Sequence, residues 1–200
     1  MTLTPEEQKM MQDIESKYYM EPILSLIRQN LDIRYVLNNL CEYLKHSEGE
    51  VRKCIPEGKN VNQALKRIVG NEFPLTVAWI FLQCKKLSLI SKDLFISQKG
   101  LYRFVDLVIF NQMTSRYIFL FLKTSLRERV EGDCASAKEI KNSNNYSTFF
   151  VTPDFYDEIG SCRKNLEEVF DYVFVGKNVQ PDNFIKPLGE IVDVVNRLLA

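Results

Sequence analysis

Two apolar runs joined by a short polar segment constrain the fold of this chain more than any other feature. Residues 105–110 read VDLVIF, residues 117–123 read YIFLFLK, and NQMTSR lies between them. Runs of this length and composition around a short polar turn predict an antiparallel β-hairpin. With the centre of the turn between Met113 and Thr114, Asp106 faces Phe121. Lys123 is then the diagonal neighbour of Asp106 on the same face, within reach of a long side chain.

Asp106 and Lys123 are the charged residues of these two apolar runs. An unpaired charge buried in an apolar hairpin costs several kcal/mol, so each must be paired, hydrated or bound to a metal ion. Two interpretations stay open at this point. The residues form either a structural ion pair or part of a functional site, because both arrangements bring opposite charges together.

The segment after Lys123 favours a functional site. It reads TSLRERVEGD and predicts a helix near residues 126–142 that Thr124 or Ser125 can cap. The amides at the start of this helix, together with Arg127 and Arg129, would face an anion, and a phosphate fits such a site. Taken alone, the RER string reads as a solvated helix face.

The rest of the chain divides into two parts. Residues 1–93 predict a helical N-terminal region, in which a helix through Val69 ends at a break at Gly70-Asn71 and a new helix begins at Pro74. Residues 94–200 predict strands near 102–110, 117–124, 146–152 and 171–177, with helices near 126–142, 156–170 and 185–199. This order indicates an α/β fold, a mixed central β-sheet flanked by helices, with both parts in one compact domain.

Composition excludes several classes of protein. The 200 residues carry no net charge, so no global basic field indicates a nucleic-acid partner, although a local basic groove remains compatible. Five cysteines without a CxxC pair are typical of a reduced cytoplasmic protein and favour neither a disulfide framework nor a zinc site. The polar start predicts no signal peptide, and the apolar runs are too short to span a membrane.

The strings VDLVIFN, IFLFLKTSLRERVEGD and STFFVTPD together resemble the nuclease core of type II restriction endonucleases of the PD-(D/E)XK superfamily. The resemblance covers about residues 105–195, and KTSLRER is its most specific part. It implies a Mg²⁺-dependent, sequence-specific endonuclease of a prokaryotic restriction-modification system that hydrolyses phosphodiester bonds of double-stranded DNA. The alternatives are a repair or recombination nuclease of the same fold and a catalytically degenerate DNA-binding module.

The resemblance also assigns roles to single residues. Asp106 matches the metal-binding aspartate, although Val105 replaces the proline of the motif, and Lys123 matches the motif lysine. Phe121 stands where the motif has its second acid. Some restriction enzymes supply that acid from the following helix, and here the candidates, in order of preference, are Asp133, Glu131 and Glu139.

Further expectations concern the surroundings of the site. Glu72 is either an outer carboxylate near the metal ion or an ordinary surface acid of a helix. Lys138 and Lys141 are expected to contact DNA phosphates together with Thr124, Ser125, Arg127 and Arg129. A palindromic site is cut most simply by two copies, which predicts a homodimer. The apolar stripe between Ile33 and Leu44 is a candidate dimer surface or a plain core stripe.

Overall fold

A computed structural model of the chain describes residues 1–30, 32–55, 60–97, 104–124, 130–141, 146–177 and 179–200, with the backbone alone for 154–158. Its centre is a mixed sheet of six strands in the order β1-β2-β3-β4-β5-β6. The first three strands are antiparallel, and β3 to β6 run parallel. The strands are β1 Asp93–Ile96, β2 Leu107–Asn111, β3 Arg116–Leu122, β4 Tyr146–Phe155, β5 Tyr172–Lys177 and β6 Ile185–Pro187.

Helices cover both faces of this sheet. They are α1 Pro5–Glu15, α2 Glu21–Arg28, α3 Ile33–Asn38, α4 Leu40–Lys53, α5 Val61–Lys86, α6 Val130–Lys141, α7 Tyr156–Val169 and α8 Ile191–Leu199, with a 3₁₀ turn at Leu188–Glu190. Helices α1 to α5 and α8 share one apolar cluster with strand residues such as Ile109 and Leu120. Helices α6 and α7 share the other cluster with Phe121 and Phe150. The predicted α/β class with a mixed, helix-flanked sheet is therefore confirmed.

The predicted hairpin register is confirmed as well. Leu107 pairs with Leu120 and Asn111 with Arg116, and the backbone N–H of Asp106 donates to the carbonyl of Leu120 at 3.0 Å. The turn between the strands places Ser115 at φ 51°, a left-handed conformation that lets the chain reverse within a few residues. Because the register is as predicted, the side chains of Asp106 and Lys123 lie on the same face of the hairpin formed by β2 and β3.

The predicted break at Gly70-Asn71 is wrong. Helix α5 continues through both residues and through Pro74 to Lys86. A central glycine costs a helix about 1 kcal/mol and a central proline about 3 kcal/mol relative to alanine. Packing offsets these costs, because the second half of α5 buries Phe73, Val77 and Ile80 completely in the core.

Two short edge strands were not predicted. β1 has four residues and β6 has three, and β6 ends at Pro187. The sequence predicted a helix from residue 185, but that segment first pairs with β5, and α8 begins only at Ile191. Segments this short are specified by the neighbouring strand more than by their own residue pattern.

The stripe between Ile33 and Leu44 belongs to the core. Val36, Leu37 and Leu40 have no exposed surface, and Leu44 is 7% exposed. They pack into the cluster that α1 to α5 form with the sheet. The stripe is therefore not available as a dimer surface, and that interpretation is corrected in favour of the core helix. Within the described residues, no helix has the length and hydropathy to cross a membrane.

Candidate active site

The site lies where β2 begins and β3 ends, at the carboxyl ends of the parallel strands. Lys123 follows β3 directly, and its backbone N–H donates to the carbonyl of Val151 on β4 at 2.9 Å. Its ammonium Nζ lies 3.0 Å from Oδ2 of Asp106. Ligands of open α/β sheets bind beyond the carboxyl ends of the strands, so the pair occupies the edge where a substrate is expected.

Hydrogen bonds fix the orientation of the Asp106 carboxylate. Its Oδ2 accepts from the backbone N–H of Leu122 at 2.7 Å and from Lys123 at 3.0 Å. The described residues provide no hydrogen bond to Oδ1, and a quarter of the side chain remains exposed. Lys123 also donates to the carbonyl of Phe104 at 3.4 Å. Oδ2 of Asp106 is thus held by hydrogen bonds, whereas Oδ1 has none from the described residues.

Phe121 fills the position where the motif has its second acid. The side chain has no exposed surface, and its ring meets Phe170 edge to face at a centroid distance of 5.2 Å. A carboxylate there would be buried among aromatic rings and would lose several kcal/mol of hydration without a partner. The aromatic packing around Phe121 therefore gives a structural reason for the departure from the motif.

Helix α6 brings Asp133 to this pair. The carboxylate Oδ1 of Asp133 lies 3.6 Å from Nζ of Lys123, and the side chain is completely buried. Gly132 allows the helix to approach, because a Cβ atom at that position would lie 3.0 Å from the Phe104 ring. Of the three acids predicted from this helix, the structure brings the first-ranked one to Lys123.

Glu131 and Glu139 do not converge on the site, because both side chains are exposed on other faces of α6. The described residues contain no cluster of three or more histidine, cysteine or acidic side chains with metal-binding geometry. The site therefore offers two protein carboxylates, from Asp106 and Asp133, each within 4 Å of one ammonium group. With both carboxylates ionised, the three groups have a formal net charge of −1.

Only one of the residues predicted to contact phosphates is found beside the site in the described part of the chain. Thr124 follows Lys123 and is half-buried beside the site, whereas Ser125, Arg127 and Arg129 lie outside the described residues. Lys138 is exposed in the second half of α6. Lys141 ends that helix and pairs with Asp171 at 3.8 Å, about 12 Å along the helix axis from Asp133. The structure thus does not bring Lys141 to the Asp106–Lys123 pair.

Glu72 is a buried acid and not a surface one. It has no exposed surface, and the Ser47 hydroxyl of α4 donates to its Oε1. Burial raises the pKa of Glu72 to about 7, although the Ser47 hydrogen bond opposes this shift. Within the described part of the chain, this hydrogen bond links Glu72 to α4 and not to Asp106 or Lys123. The role of Glu72 as an outer carboxylate stays a prediction.

The sequence contains a signal that separates the three acids of α6. Asp133, Ala137 and Ile140 recur at the spacing of one helix face, and all three are buried. Glu131 and Glu139 fall outside this face. Reading the acids together with the apolar period of the helix therefore identifies Asp133 as the inward-facing one.

Comparison with known proteins finds similarity to restriction endonucleases, first in a family model and then in a solved structure. The BsaWI restriction endonuclease type 2 family model matches residues 86–198. A solved complex, described as "Restriction endonuclease PspGI-substrate DNA complex", shares 19% identity over 79% of this chain and 73% of that chain, with a TM-score of 0.48. Curated proteins give no match.

The matched segment contains Asp106, Lys123 and Asp133 and spans more than half of the chain. The protein is therefore a type II restriction endonuclease, that is, a site-specific deoxyribonuclease. Within that class it belongs to the BsaWI restriction endonuclease type 2 family.

Proposed function

We propose that the chain hydrolyses phosphodiester bonds of double-stranded DNA in a Mg²⁺-dependent reaction at the site formed by Asp106, Asp133 and Lys123. The observation that carries this proposal is the position of Lys123, whose Nζ lies 3.0 Å from one carboxylate and 3.6 Å from the other. The arrangement combines two oxygen donors for a cation with a positive group for the reacting phosphate.

The donor set fits a hard divalent cation. Mg²⁺ prefers carboxylate oxygens and keeps several waters, so a few protein ligands suffice. Oδ1 of Asp106 accepts no hydrogen bond from the described residues, and the excess negative charge of the three groups attracts a cation. When bound, the ion polarises the phosphate and lowers the pKa of a bound water.

Lys123 supplies the complementary charge. Its ammonium group can orient the attacking water and stabilise the negative charge that builds on the phosphate oxygens in the transition state. The hydrogen bond from Leu122 to Asp106 and the burial of Asp133 hold both carboxylates in place. Little rearrangement is therefore needed before the reaction.

The first test is the metal dependence of cleavage. Phage DNA incubated with the purified protein should give discrete fragments in Mg²⁺ and remain intact in EDTA, because EDTA would remove the ion that Asp106 and Asp133 would hold. Gel electrophoresis distinguishes the alternatives. A smear would indicate a nuclease without sequence specificity, and intact DNA in Mg²⁺ would indicate a degenerate binding module.

A second prediction concerns assembly on DNA. One chain provides one Asp106–Lys123 pair and attacks one strand at a time, so we propose that two copies bind a site with two-fold symmetry. Sedimentation of the complex with a cleavable duplex should give two protomers per duplex. One protomer per duplex, with nicked circular DNA as the final product, would contradict the dimer.

A further inference from the structure

A cleft lined by charged, polar and apolar side chains lies near the end of β3. It has a volume of about 400 Å³ and is bounded by helix α4, the first half of α5 and Thr124. The Cα atom of Thr124 is about 3.8 Å from that of Lys123, because the two residues are consecutive. The cleft therefore reaches the chain one residue beyond Lys123, and we refer to it as the α4–α5 cleft.

The side chains of the α4–α5 cleft suit a polyanion. Arg52 and Lys66 supply two positive charges, Glu48 supplies one negative charge, and Asn62 adds an amide. Arg52 is partly neutralised by Glu48 at 3.6 Å. Lys66 is exposed, and within the described part of the chain no ion pair holds it. Lysine ammonium and threonine hydroxyl groups are common phosphate contacts in protein–DNA complexes, and the cleft presents one of each.

Gly70 is the second feature of the cleft on which the inference rests. It lines the cleft in the middle of α5, where glycine is less favourable than any other residue except proline. A Cβ atom at Gly70 would have no neighbour within 4 Å, so the fold itself does not require a glycine there. Glycine in such a position allows the backbone of a ligand to approach closely.

We infer that the α4–α5 cleft binds the sugar-phosphate backbone of the DNA strand next to the scissile phosphate, with Lys66 contacting a phosphate and Gly70 leaving room for the strand. This inference rests on the proposed reaction at Asp106 and Lys123 and adds a DNA contact from the N-terminal helices. This contact would help to bind and orient the DNA strand. The chemical step itself would be carried out by Asp106, Lys123 and Asp133.

The test uses two matched pairs of variants in the full-length protein. Gly70→Gln is compared with Gly49→Gln, because Gly49 is also an exposed helical glycine with open space at Cβ but does not line the cleft. Lys66→Gln is compared with Arg67→Gln, its exposed neighbour, which does not line the cleft. Binding is measured by fluorescence anisotropy with a labelled duplex of mixed sequence, in Ca²⁺ and over a range of salt concentrations.

Both glycine variants should raise the Tm by about 2–4 °C, because glutamine favours the helix. Only Gly70→Gln should also weaken duplex binding, by about tenfold, and slow the cleavage of phage DNA to a similar extent. Lys66→Gln should lower the slope of log affinity against log salt by about 0.9, the value for one phosphate contact. Arg67→Gln should leave that slope unchanged.

Equal binding by Gly70→Gln and Gly49→Gln, or an unchanged salt slope in Lys66→Gln, would overturn the inference. Its failure can be distinguished from failure of the proposed reaction. If Asp106→Ala still cleaves DNA, the reaction site is wrong. If Asp106→Ala is inactive while the cleft variants match their controls, only the cleft is wrong.

Discussion

Asp106→Ala and Lys123→Ala are each expected to abolish detectable cleavage while the protein stays folded. Asp106 provides the accessible carboxylate oxygen of the site, and Lys123 provides the charge that lies within reach of both carboxylates. Loss of a positioned acid–base group lowers a rate by about 10²–10⁴-fold, and loss of a metal ligand adds to this effect. Initial rates of phage DNA cleavage measure the loss.

Metal binding separates the roles of these two residues. Asp106→Ala should weaken binding of Mn²⁺, a spectroscopically visible substitute for Mg²⁺, whereas Lys123→Ala should bind it at least as tightly because a nearby positive charge is removed. The exposed pair of Arg34 and Asp193, 2.7 Å apart, serves as the control. Removing either partner should leave cleavage unchanged, since exposed ion pairs contribute little. Wild-type cleavage in Asp106→Ala would refute the assignment.

Asp133→Asn is expected to have the second-largest effect, a loss of cleavage on the order of 10²-fold or more. Asparagine retains the size of the buried side chain but removes the charge that faces Lys123 at 3.6 Å. Glu131→Gln and Glu139→Gln are matched controls on the same helix, and both side chains are exposed. These two variants should cleave at nearly the wild-type rate.

A structural variant complements this comparison. Gly132→Ala places a methyl group 3.0 Å from the Phe104 ring, so either the ring or the start of α6 must shift by a few tenths of an ångström. Cleavage should fall although no charge is removed, because Asp133 moves away from Lys123. Full activity in Asp133→Asn, or an equal loss in Glu131→Gln, would show that the second carboxylate comes from another part of the chain.

The sequence was sufficient to place Asp106 and Lys123 together. The apolar runs and the short turn fixed the register of β2 and β3, and a shift of one residue would have moved one charge to the opposite face. These inferences are local, since the hairpin turn and the alternation of side chains determine them. The missing acid at Phe121 followed from the resemblance to the family motif and not from the register.

The rest of the site depends on contacts between distant segments. The sequence ranked Asp133 above Glu131 and Glu139, but only the packing of α6 against Phe104 shows which acid reaches Lys123. Ser47 and Glu72 lie 25 positions apart, and no periodic pattern predicts their hydrogen bond. The continuous helix through Gly70 and Pro74 was missed because burial of most of the second half of α5 outweighs two unfavourable residues.

The same limit applies to the stripe between Ile33 and Leu44. A row of apolar side chains at helical spacing predicts burial but not the partner that covers it. Here the partners belong to the same chain, since Val36, Leu37 and Leu40 pack against other helices and the sheet. A dimer must therefore use a different surface.

A crystal structure of the protein with Mn²⁺ and a duplex, with anomalous scattering recorded for the metal, tests the central claim most directly. We expect an anomalous peak in contact with the carboxylates of Asp106 and Asp133, with Lys123 beside the phosphate that faces the metal. Metal–oxygen distances should be about 2.0–2.2 Å, close to those of Mg²⁺. A peak that contacts neither carboxylate, or one held by Asp106 without Asp133, would contradict it.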